Sequence, residues 1–134
     1  MQKSAVSVET SGPVTSAEIN ELRAAAWPDA GPQEWQPILA RSLGWVTARR
    51  DGVVVGFVNV AWDGRSHAFL LDTVVDPSVQ RRGVGRTLVK HAADLAREHG
   101  VEWLHVDFEP ELRRFYERCG FRPTDAGLLA LTAE

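Results

Sequence analysis

The spacing of apolar positions changes several times along the chain, and each change marks an element. Residues 5–9 read as a short strand that Ser11-Gly12-Pro13 breaks. Thr15-Ser16-Ala17-Glu18 is a capping-box pattern, which predicts a helix to about residue 27 with Ile19, Leu22 and Ala26 on its apolar face. The stretch from Pro28 to Pro32 stops it, and a shorter helix over 33–42 carries Trp35, Ile38 and Leu39 on one side. Residues 45–50 and 53–61 then read as two strands around the tight turn Asp51-Gly52. Residues 67–75 form a third strand, and the unbroken apolar run Phe69-Leu70-Leu71 predicts that it is central and buried. From Arg82 to about His99 the positions Val84, Leu88, Ala92 and Leu95 recur at helical spacing, with Gly100 as terminator. A strand over 101–108, a helix over 110–119 ended by Gly120, and a last strand over 128–132 complete the order. This order predicts an α+β fold whose sheet carries a strand-helix-strand crossover near its centre.

Composition narrows what such a domain can do. A chain of 134 residues with 44% hydrophobic residues supplies one domain with one core. No apolar run has membrane-spanning length, and the start Met1-Gln2-Lys3-Ser4-Ala5-Val6 lacks the stretch of a secretory signal. The single cysteine, Cys119, cannot form an internal disulfide, so a cytoplasmic location is expected. A net charge of −3 argues against a surface that grips nucleic acid or membrane, and any anionic ligand must be met by local positive charge. Thirteen of the fifteen basic residues are arginine, the side chain suited to phosphate.

Local positive charge occurs in one loop. The segment Asp76-Pro77-Ser78-Val79-Gln80-Arg81-Arg82-Gly83-Val84-Gly85-Arg86 joins the third strand of the meander to the long helix. The first N–H groups of a helix have no internal partner and the dipole is positive there, so a glycine-rich turn with arginines can hold a diphosphate. Taken alone, the same residues also read as a glycine-tightened turn with solvated arginines. The third glycine of a dinucleotide fingerprint and the Gly-Lys-Ser/Thr of a nucleoside triphosphate loop are both missing.

Two motifs together are more specific. Gln80-Arg81-Arg82-Gly83-Val84-Gly85, and Phe115-Tyr116 followed by Gly120-Phe121, resemble the acetyl-CoA motif and the last signature helix of the GNAT N-acetyltransferases. The resemblance covers about residues 70–123 and implies a single GNAT-like domain over 1–134, with a splayed strand pair forming the acetyl-CoA cleft. It implies that Thr73, Val74 and Val75 pair with the pantetheine arm, that the pyrophosphate sits on Arg82, Gly83, Val84, Gly85, Arg86 and Thr87, and that Tyr116 protonates the departing thiolate. No metal is implied.

The resemblance implies an acceptor that is an amine of a small molecule or peptide, and an alkyl amine must lose a proton before it attacks. Candidates for the base are His105, Asp72 and Asp107, and Glu109 stands where the family usually has Asn. Cys119 reads as a small packed residue rather than a nucleophile. Trp45 and Trp103 are expected in the core, whereas Trp27 and Trp35 flank the joint that forms one wall of the acceptor pocket in this fold. An acetyl-CoA-binding regulatory module without turnover is the competing reading. Dimers are common in the family, which leaves a homodimer open.

Overall fold

The computed structural model describes residues 5–132. Five strands form one sheet in the order β1-β2-β3-β4-β5: β1 (Ser7–Thr10), β2 (Gly44–Arg50), β3 (Val53–Trp62), β4 (His67–Val75) and β5 (Trp103–His105). The first four pair antiparallel and β5 joins β4 in parallel. Among the described residues four α-helices flank the sheet: α1 (Ser16–Ala26), α2 (Gln36–Arg41), α3 (Val84–Glu98) and α4 (Arg113–Arg118). The α+β class, the mixed and mostly antiparallel sheet and the flanking helices therefore stand as expected.

Each face of the sheet has its own apolar cluster. Ile19 and Leu22 of α1, with Trp35 and Leu39, bury themselves against Val54, Phe57 and Val74. On the other face Val84, Leu88, Val89, Ala92 and Leu95 of α3 cover Val46, Val58, Val60 and Leu70. The apolar stripe read from residues 84–95 is thus the stripe that α3 buries. The capping box of α1 forms as its sequence predicts, with Thr15 and Glu18 satisfying each other's backbone N–H groups. Glu18 also pairs with Arg49 of β2 at 2.8 Å, and Arg49 donates to the carbonyls of Pro13 and Gly52. This pins the start of α1 to the sheet.

Several expectations are corrected. The last strand over 128–132 does not form: the segment is irregular, and Leu128, Leu129 and Leu131 are 89, 83 and 89% exposed. A strand needs a ladder, and β5 pairs for only three residues, so none reaches this segment. The strand over 101–108 shrinks to β5 for the same reason, and the strand-helix-strand crossover from β4 through α3 lies at the sheet's edge rather than near its centre. β4 is not buried throughout either. Ala68 and Leu70 face the core, while strand alternation turns Phe69 and Leu71 to the opposite face, where Phe69 meets the exposed ring of His105 and the two are 39 and 41% exposed. Trp103 on the edge strand is half-exposed, whereas Trp35 is fully buried edge-on against Phe57.

Candidate active site

The site follows from the way β4 and β5 part. They pair only through His67–Trp103, Ala68–Leu104 and Phe69–His105, and beyond that the two chains diverge. At the same level β4 carries a bulge. Phe57 faces Val74 and Asn59 faces Leu71, so Asp72 and Thr73 together occupy the space of one residue. Asp72 takes a left-handed backbone with φ 59°, a conformation aspartate tolerates better than most side chains. The bulge re-aims Asp72 and Thr73 into the gap. A cleft of about 660 Å³ opens there, lined by Asp72 and Thr73 on one side, Asp107 and Phe108 on the other, and Tyr116 between.

Tyr116 is almost fully buried, at 4% exposure. Phe108 stacks on its ring at 5.1 Å, and Phe115 and Phe121 meet it edge-on at 4.9 and 5.7 Å. These contacts fix the ring and leave the hydroxyl side on the cleft. Burial raises its pKa, and the Thr73 side chain acts in the opposite direction, so the phenol stays protonated at neutral pH. Burial likewise raises the pKa of the Asp72 carboxyl, with the Arg23 guanidinium pulling it back. Arg23 is held beside the cleft by its packing over Trp35 and Trp27 and by a hydrogen bond to the Gly31 carbonyl.

The loop below the cleft is tightly formed. Asp76 caps the short turn Pro77–Val79, and the Gln80 side-chain amide donates to the Val75 carbonyl at 3.0 Å, tying the loop to the end of β4. Arg81 and Gly83 are left-handed, with φ 65° and 81°, and α3 begins at Val84. The first intrahelical bond runs from the Thr87 N–H to the Gly83 carbonyl, so the N–H groups of Val84, Gly85 and Arg86 precede the ladder. Arg81, Arg82 and Arg86 are exposed, and none joins an ion pair among the described residues. A fifteen-residue helix thus presents free N–H groups and unneutralised guanidiniums at one point, which suits a phosphate-bearing ligand.

The remaining candidates separate. Thr73 lines the cleft, Val74 is buried in the sheet, and Val75 ends β4 above the loop. His105 lies outside the cleft, exposed, with its Nε2 2.8 Å from His67 Nδ1 and its ring stacked on Phe69. Burial raises the pKa of Cys119, against the pull of Arg86, and keeps it a thiol on a separate groove beside α3 and α4. Trp27 reaches the cleft, but Trp35 does not. Sequence reasoning missed the far wall, residues 124–128, which includes Asp125. The only signal was the run Pro123-Thr124-Asp125-Ala126-Gly127, loop-forming in composition but silent about where the loop lies. Among the described residues no three histidine, cysteine or carboxylate side chains gather as a metal site.

A model of the acetyltransferase (GNAT) family matches residues 16–121, and the chain belongs to that family. Among solved structures, a GNAT family acetyltransferase from Streptococcus pneumoniae TIGR4 superposes with a TM-score of 0.82 at 24% identity, over 97% of this chain and 100% of the other. An aminoglycoside N-acetyltransferase solved in complex with CoA superposes with a TM-score of 0.74 at 20% identity, over 98% and 97%. Streptothricin acetyltransferase of Streptomyces lavendulae is 34% identical over 86 residues, which is 61% of this chain and 46% of that enzyme. The chain therefore spans less than half the length of that curated relative.

Proposed function

We propose that the chain transfers an acetyl group from acetyl-CoA to a primary amine. The observation that carries this reading is the parting of β4 from β5, with the buried Tyr116 in the gap and the arginine-flanked start of α3 below it. The edge of β4 that β5 leaves unpaired from Thr73 to Val75, where the Val75 carbonyl already accepts from the Gln80 amide, suits a pantetheine arm, and the N–H groups of Val84, Gly85 and Arg86 suit its pyrophosphate. Arg81, Arg82 and Arg86 add the charge, and Gln80 and Thr87 hold the loop, Thr87 by bonding the Gly83 carbonyl through both its N–H and its hydroxyl.

A neutral amine attacks the thioester carbon, forming a C–N bond as the C–S bond breaks. The attacking nitrogen gives up its proton to a base, and Asp72 is the best-placed carboxylate because it lies half-buried on the cleft wall with its proton affinity raised. His105, turned away toward His67, is the weaker choice. Tyr116 supplies the proton that the departing thiolate accepts.

Thiol release from acetyl-CoA across an amine panel tests the reading. Turnover with at least one amine, crippled in Tyr116→Phe, is expected. Tight acetyl-CoA binding with no turnover on any amine favours the regulatory module instead, a reading that Glu109 at the family's usual Asn position keeps in view.

A further inference from the structure

The charge of the cleft is one-sided. Asp72, Asp107, Glu109 and Asp125 line it, and among the described residues no lysine, arginine or histidine does. The four carboxylates come from three separate stretches of chain: the bulge of β4, the segment after β5, and the loop beyond Phe121. None of the four takes part in an ion pair among the described residues. Elsewhere carboxylates do find cations, Glu18 with Arg49 and Asp94 with Lys90 and Arg97. Arg23, the cation that acts on Asp72, is not itself a lining residue. At the rim the indole of Trp27 adds an exposed aromatic surface, a further partner for ammonium groups.

The four carboxylates also sort by depth. Asp72 is half-buried beside Thr73 and Tyr116, while Asp107, Glu109 and Asp125 are exposed. An acidic field favours the protonated form of any amine that enters it. The groups that attract the acceptor are therefore best kept apart from the group that takes its proton, a division that the exposed Glu109 and Asp125 and the half-buried Asp72 allow; Asp107 is exposed on the wall facing Asp72, near enough to act on Tyr116.

We infer that the acceptor is a small polycationic amine, carrying at least one further ammonium group besides the nitrogen that is acetylated, with the exposed carboxylates Glu109 and Asp125, and Asp107 on the wall facing Asp72, holding the charges that do not react. The inference rests on the acetyl-transfer reading for its site; the carboxylates decide only which acceptors the site prefers. An acceptor bearing phosphate or carboxylate beside its amine meets four like charges and no compensating cation in the same cleft.

The test compares diaminobutane, butylamine and glucosamine 6-phosphate as acceptors in the thiol-release assay, with the intact chain and with the double variant Glu109→Gln/Asp125→Asn. At low salt, kcat/KM for diaminobutane is expected to exceed that for butylamine by about tenfold, since the exposed charge pairs act together although each is weak. That ratio is expected to shrink severalfold in the double variant and as salt is raised. A ratio within about twofold, or faster turnover of glucosamine 6-phosphate, would overturn the inference and leave acetyl transfer intact. If no amine releases thiol, acetyl transfer fails, and direct calorimetric titration with diaminobutane still decides the cleft's preference. Binding that the double variant weakens upholds a polycation site, and absence of binding overturns it.

Discussion

Gly85 faces the ring of Phe115: a β-carbon at residue 85 would stand 3.2 Å from its Cζ and 3.4 Å from its Cε1. The second glycine of the loop therefore lets Phe115 approach closely, while the first, Gly83, is favoured by its left-handed backbone. The contact joins the first turn of α3 to α4, and the same Phe115 ring meets Tyr116 edge-on. Gly85→Val is expected to push Phe115 aside, lower stability by about 1–3 kcal/mol, and raise KM for acetyl-CoA while lowering kcat. Thermal melts with steady-state kinetics read both effects, and an altered KM with kcat untouched would show that the loop and Tyr116 are not coupled.

Tyr116→Phe separates chemistry from packing. The ring stays among Phe108, Phe115 and Phe121, so the melting temperature is expected to move little. Loss of the proton donor is expected to lower kcat by about a hundredfold. Tyr116→Ala, by contrast, empties the cradle and is expected to cost about 3–5 kcal/mol of stability.

Asp72→Asn has opposite signs for stability and rate. Because burial raises the folded-state pKa of this carboxyl, its contribution to stability is full below the unfolded-state value and is lost as pH rises through the folded one. At neutral pH the buried charge opposes folding, so the asparagine variant is expected to melt at the same temperature or higher, with the difference vanishing in acid. Its kcat is expected to fall about a hundredfold. The acid limb of the kcat profile in the parent is expected to lie above the ordinary aspartate range and to disappear in the variant.

The Glu18–Arg49 pair acts in the other direction. Its hydrogen bonds to Arg49, and then those to Thr15, hold the Glu18 carboxyl below its ordinary range against the opposing effect of burial. That stability is present above the unfolded-state value and is lost as pH falls through the folded one. Glu18→Gln is expected to cost about 1 kcal/mol at neutral pH, read by urea melts, and to cost progressively less as the medium is acidified below the glutamate range.

Much of this arrangement was legible in the sequence where local physics decides. The capping box, the Asp51-Gly52 hairpin and the stripe of α3 each depend on neighbours a few residues away. The loop from Gln80 to Arg86 was legible because glycine and arginine have narrow physical uses. What failed depended on long-range placement. Phe69 and Leu71 looked like core because continuous apolar runs usually are, yet Phe69 meets the exposed ring of His105 at the sheet edge and Leu71 opens onto the cleft. Leu128 to Leu131 carried strand-like residues with no ladder to join. Trp27 and Trp35 looked equivalent in the sequence, and only the packing of α2 on Phe57 sends one to the core and leaves the other at the cleft. Asp125 lay in a run that read only as loop-forming, since its place on the cleft depends on where an irregular segment returns.

The central claim, that the cleft and the start of α3 together receive acetyl-CoA, is tested most directly by calorimetric titration of the chain with acetyl-CoA. Binding of one molecule per chain in the micromolar range is expected, weakened at least about tenfold when Arg81, Arg82 and Arg86 are replaced together by serine. Absence of any binding at high micromolar acetyl-CoA, with the chain shown to be folded, would contradict it.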